Sequence, residues 1–157
     1  MASSLEQQLQ TLIAEAPQDG KTPQAIEAIA PILYEIAEQF QHLEYFVLQS
    51  IQQNWQITTL QNTKQPEQTK VVLYGYGELK DATQAGQAPN LIAKGVPIID
   101  LLFQFSSLQQ VDSLILFERQ QGQLTNLEIH RLQLNQLIQQ QLESMLKQDS
   151  DNGPILA

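Results

Sequence analysis

Few residues in this chain have the types and spacing that chemistry requires. The first candidate is Gly75-Tyr76-Gly77, at the end of the apolar run "VVLYGYG". A dinucleotide cradle needs glycine at the first, third and sixth positions, followed by a helix N-terminus that receives the pyrophosphate. Here Lys80 stands sixth, and the segment after it is interrupted by "AGQAP". No Gly-Lys-Ser or Gly-Lys-Thr occurs, so there is no Walker-type loop. An ion filter of this composition would need membrane helices, and no apolar run approaches that length. The stretch therefore reads as a strand end. Gly75 and Gly77 fall on one face, where a helix or a foreign chain can approach closely, and Tyr74 and Tyr76 fall on the other.

The second set of candidates is the two histidines and their acidic neighbours. Neither His42 nor His130 lies in a metal spacing such as HExxH. With Glu128 and His130 on a helix, their side chains stand about 200° apart and share no ligand. His42 is one turn beyond Glu38, which suggests a surface pair. Asp100 and Asp112 interrupt apolar segments and read as caps. No serine sits in a nucleophile elbow. The absence of cysteine removes disulfides, thiolate ligands and a thiol nucleophile. The expectation is a protein with no catalytic residues, no metal and no cofactor.

The elements that must position any site follow from periodicity. "SSLEQQLQTLIAEA" is a helix with a Ser3–Glu6 capping box and a stripe of Leu5, Leu9, Leu12 and Ala16. A second helix opens at Thr22–Pro23 and presents Ile26, Ile29, Leu33, Ile36 and Phe40. Pro31 inside it predicts a kink. "YFVLQSI", "WQITTLQN" and "KVVLYGYG" read as three strands of an antiparallel meander. "ELKDATQAGQAPN" is irregular, "PIIDLLFQFSSLQQ" a short helix, and "DSLILFER" a fourth, doubly buried strand. Thr125 and Glu128 have capping-box spacing, with Leu124 and Ile129 as staple. They predict a last helix carrying Leu127, Leu134, Leu137, Ile138, Leu142 and Met145. The predicted fold is α+β: a mostly antiparallel sheet of about four strands packed by N-terminal and C-terminal helices, in one domain over residues 1–148, with a flexible tail at 149–157.

Composition narrows the function classes. The chain of 157 residues is 42% apolar and carries a formal net charge of -9. Its eight basic residues are scattered. This disfavours nucleic acid, whose phosphates need clustered Lys and Arg, and fits either a basic partner or a charge that serves solubility alone. The N-terminus lacks the pattern of a signal peptide, and a cytoplasmic protein without a membrane span is expected. Glu35, Glu38 and Glu44 are expected to form an acidic rim. With Tyr74, Gly75, Tyr76 and Gly77 they make the predicted partner-binding set. A small-ligand regulatory domain and a self-associating structural subunit are the alternatives.

The stretches "YFVLQSIQQNWQITTLQN", "KVVLYGYGELKDA" and "LLFQFSSLQQVDSLILFE", with the long last helix, resemble a small family of glutamine-rich cyanobacterial proteins that includes β-carboxysome assembly chaperones. The resemblance spans roughly Tyr45 to Glu118. The Gly-Tyr-Gly stretch is unusual for that group. The resemblance implies a non-enzymatic cytoplasmic protein that binds the C-terminal extension of a hexameric carboxysome shell protein before assembly. It assigns no individual residue a role.

Overall fold

Local chemistry starts and stops the helices. The computed structural model describes residues 4–151. Helix α1 (Leu5–Glu15) is capped by Ser4, not Ser3: the Ser4 hydroxyl accepts from Gln7 N–H at 3.2 Å and the Gln7 side chain returns to Ser4 N–H at 3.0 Å. Helix α2 (Thr22–Ala37) is preceded by Asp19, which accepts from the N–H groups of Lys21 and Thr22 and from the Thr22 hydroxyl. Those bonds hold the Asp19 carboxyl down at about 2. Helix α2 runs on through Pro31. Pro31 and Glu27, whose carbonyl loses its intrahelical donor, both lie on the exposed face, so water can satisfy that carbonyl.

Among the described residues the sheet is mostly antiparallel, as expected, with six strands where about four were expected: β1 (Glu44–Ser50), β2 (Ile57–Gln61), β3 (Thr69–Tyr76), β4 (Leu91–Pro97), β5 (Ser113–Gln120) and β6 (Gln123–His130). Its order is β4-β1-β3-β5-β6, with β2 also paired to β3. All pairs are antiparallel except β3 with β5. The first three strands are not a meander. Strand β2 takes the N-terminal half of β3, β1 meets its end at Phe46–Tyr76, and a single bridge, Gln49–Trp55, links the β1 and β2 segments. Helix α3 (Leu79–Ala85) and helix α4 (Ile98–Ser106) flank β4.

The largest correction concerns Thr125. It does not cap a helix. Residues Gln123–His130 form β6, and helix α5 begins only at Arg131 and runs to Asp151. Gln121 and Gly122 both have positive φ (53° and 80°) and make a two-residue turn of the kind that matches hairpin twist. Thr125, Leu127 and Ile129 then share one face of a strand, and the Thr125 hydroxyl donates to Glu118 O at 3.2 Å. Residues 149–151 belong to α5, and the rest of the predicted tail lies outside the described residues.

One face of the sheet carries the main core. Leu33 of α2, Tyr45 and Val47 of β1, Leu73 of β3, Leu101, Leu102 and Phe105 of α4, and Leu114 and Leu116 of β5 are fully buried there. The glycines are part of this face. A Cβ on Gly75 would stand 2.6 Å from Leu116 Cδ2, and one on Gly77 would strike the His42 ring at 2.5 Å. Both positions are therefore occupied by the protein's own side chains. Leu116 is enclosed and has nowhere to move, whereas the His42 ring is only half-buried. Gly75→Ala is expected to cost about 1–3 kcal/mol in urea unfolding and Gly77→Ala clearly less. Equal costs would mean that Leu116 yields freely.

Candidate functional site

The predicted partner-binding residues do not converge. Glu35 and Glu38 are exposed near the end of α2, on the helix side of the sheet. Glu44 is on the opposite face, its carboxylate lying where a Cβ of Gly95 would be. Tyr74 and Tyr76 also point to that opposite face and pack on Phe117, with ring centroids 5.5 and 5.1 Å away. Gly75 and Gly77 face the helices and are filled. His42 does not pair with Glu38. It sits over Gly77, edge-on to Tyr45 at 5.5 Å.

The second face is closed in part by α3. Asp81 accepts from Arg119 Nε at 3.1 Å and from Nη2 at 2.6 Å, its side chain only 5% exposed. The hydrogen bonds from Arg119 hold the Asp81 carboxyl below its ordinary value of 3.8. A carboxyl lowered in the folded state contributes stability above the unfolded value and loses it as pH falls through the folded one. Hydrogen exchange in α3 is therefore expected to accelerate as pH drops below 3.8, after correction for intrinsic rates. Arg119→Gln should show that faster exchange already at neutral pH. A variant with unchanged protection would show that the pair does not hold α3.

Because residues 128–130 are strand and not helix, Glu128 and His130 do meet: Nδ1 of His130 is 3.6 Å from the Glu128 carboxylate and 3.2 Å from the Ser113 hydroxyl. Lys70 completes the group by an ion pair to Glu128, and the bond from Lys70 leads the lowering of the Glu128 carboxyl. The residue types are those of a hydrolytic triad, but the geometry is not. Serine and acid both address Nδ1, whereas a relay needs one on each ring nitrogen. Ser113 is also fully buried. The cluster fastens the open side of the second face. Among the described residues no group of three or more acids and histidines is placed to hold a metal ion, and no helix is long and apolar enough to cross a membrane.

A groove of about 230 Å³ with mostly apolar walls lies beside the β6 edge of the sheet. It runs between the end of α2, the outer side of β6 and the first turns of α5, with Ile36, Phe40, Leu127, Ile129 and Leu137 as apolar walls. Leu127 and Leu137 are each 43% exposed. Leu124 and Leu132 on the same β6–α5 segment are also exposed. Glu35 stands one helical turn before Gln39, itself a wall of the groove, and so flanks it.

Two anchors hold the walls in place. The buried Glu118 carboxylate accepts from the Tyr45 hydroxyl and from Gln41 N–H at 3.1 Å, which fixes the α2–β1 connection that carries Phe40. Burial, and then Glu118, push the Tyr45 hydroxyl far above its ordinary value, so it stays a donor. Arg131 donates to the carbonyls of Val111 and Gln109, and its N–H to Asp112 O, pinning the start of α5. Periodicity puts Ile36 and Phe40 on the core-facing seam of the second helix, and it does not show which strand lies beneath them. The floor of the groove is β6, where the capping signals predict a helix.

The edges of the sheet differ. Strand β4 carries Lys94 and Pro97, residues that discourage strand addition, and β2 is only five residues long. Strand β6 has eight residues and neither Lys nor Pro. Gly77 N–H donates to Phe117 O at 2.8 Å, so Phe117 turns its main-chain groups towards β3. Its partner Asn126 therefore turns its own outward, as do Leu124, Glu128 and His130 by the antiparallel alternation. Compared with protein-family models, with curated proteins and with solved structures, the chain finds no match.

Proposed function

We propose that this protein is a non-enzymatic protein-binding module, an assembly chaperone that takes up an extended segment of its partner as a seventh strand along β6. The observation that carries this reading is the coincidence of an unblunted edge strand with an apolar groove. Main-chain bonds to the outward groups of β6 give affinity, and alternate side chains of the guest enter between Phe40, Leu127 and Leu137. The guest is expected to carry apolar residues two apart and a neutral or basic charge, in keeping with the host's net charge of -9. The resemblance to carboxysome assembly chaperones adds a candidate for the guest, the C-terminal extension of a shell protein. The cytoplasm is the matching compartment.

Calorimetric titration with that extension as a synthetic peptide tests the reading. Saturable binding that weakens as salt rises, and further in Glu35→Gln, supports it. Glu44→Gln, on the other face, should leave the affinity unchanged. No heat at high micromolar peptide would exclude this guest. A pull-down from cyanobacterial cytosol that returned no β6-dependent partner would exclude the class.

A further inference from the structure

A second opening has a different chemistry. Two adjoining depressions of about 230 and 360 Å³ lie where the β1–β2 turn and β4 meet α4, and they share Gln53, Trp55 and Gln104 as walls. Gln49 lines the first. It is 6% exposed, yet its amide bonds to no described protein group and is not sealed from the opening. A buried amide without a protein partner is costly unless water or a ligand supplies the bonds. Gln104 spends its N–H on Asp100 at 2.8 Å and keeps its carbonyl oxygen available. Among the described residues the charges lining the first depression, Lys94 and Asp100, are of opposite sign.

We propose that this cleft binds a neutral saccharide, with Trp55 as the aromatic surface for the sugar ring and the amides of Gln49, Gln53 and Gln104 as partners of its hydroxyls. Each hydroxyl both donates and accepts, and a primary amide does the same at its two ends. The two opposite charges leave no net sign for an ionic ligand to exploit. The aromatic surface suits the apolar C–H side of a pyranose, which an amide-only lining would not. The site is separate from the β6 groove and shares none of its wall residues.

Trp55 is the chain's single tryptophan, so emission excited at the red edge, where tyrosine does not absorb, reports on this cleft. Titration of the full chain with maltose, sucrose and trehalose, against glycerol at matched concentration, is the test. A saturable change in emission with at least one disaccharide is expected. The affinity should fall about three- to tenfold in Gln53→Gly and in Gln104→Ala, the effect of one lost hydrogen bond. Gln53 has φ 68°, so glycine there relieves backbone strain while removing the amide, and Gln104 is exposed. Both variants should melt at or near the parent temperature, which separates lost binding from lost fold. A linear drift identical to glycerol would overturn the proposal. So would saturation undiminished in both variants, or a response to uridine with none to the saccharides.

Discussion

Leu134→Ala is expected to lower the free energy of unfolding by about 2–5 kcal/mol, and Leu137→Ala by less than about 1 kcal/mol. The two leucines are three residues apart on α5 and equivalent in sequence. Their surroundings are not. Leu134 is 1% exposed and belongs to the core formed by α2, α4 and the sheet. Truncating it removes buried contacts and leaves a cavity that the enclosed neighbours cannot fill. Leu137, at 43% exposure, has part of its surface in the groove and in water. Urea unfolding of both variants checks the order. Similar losses would show that Leu137 is core and that the groove is closed in solution. Thr125→Ala should cost little, since it removes one half-buried hydrogen bond from a strand and no helix cap.

The pair shows what a stripe at helical spacing can and cannot say. Periodicity identified Leu134, Leu137, Ile138 and Leu142 as one side of a helix. It did not say which of them another element would cover. That depends on where α2 ends and where the strand before α5 lies. The same limit explains β6. Leu124, Thr125, Glu128 and Ile129 satisfy a capping box and staple by type. Thr125, Leu127 and Ile129 equally satisfy strand alternation, and the turn that decides between them is Gln121-Gly122, where a glutamine adopts φ 53°. Glutamine is an uncommon choice for that conformation, so the hairpin was not legible. Strand β4 was missed for a related reason. Lys94, Gly95 and Pro97 lower its strand signal, and they are tolerable because it lies at an edge.

What was legible rests on stronger patterns. The parts of β1, β3 and β5 richest in branched and aromatic residues fall within about a residue of their bounds; α2 and α4 start where expected but stop at Ala37 and Ser106, short of the expected Phe40 and Gln110. The Gly75-Tyr76-Gly77 stretch was correctly divided between two faces, but its glycines proved to be filled from within, by Leu116 and His42. The acidic rim failed for a topological reason. A strand that follows a helix can turn a given side chain to either face. Here Glu44 faces away from the side that holds Glu35 and Glu38.

Asn126→Pro is expected to abolish binding of an extended partner segment while leaving the protein folded. Asn126 pairs with Phe117 as one of the residues whose main-chain groups point away from β5. Proline removes an N–H there that no described strand uses, and its ring intrudes on the space of an added strand. The β5–β6 ladder keeps its bonds, because those run through Thr125, Leu127 and Ile129. Leu127→Lys attacks the same site through its side-chain floor and should weaken binding roughly tenfold to hundredfold, the scale of a central interface residue. Ile92→Lys on the β4 edge and Leu60→Lys on the β2 edge, both exposed, are the matched controls and should bind normally. Binding lost in Leu127→Lys but kept in Asn126→Pro would mean that the guest enters the groove without joining the sheet, as a helix or a single anchor would. Binding kept in both would move the site off β6 altogether.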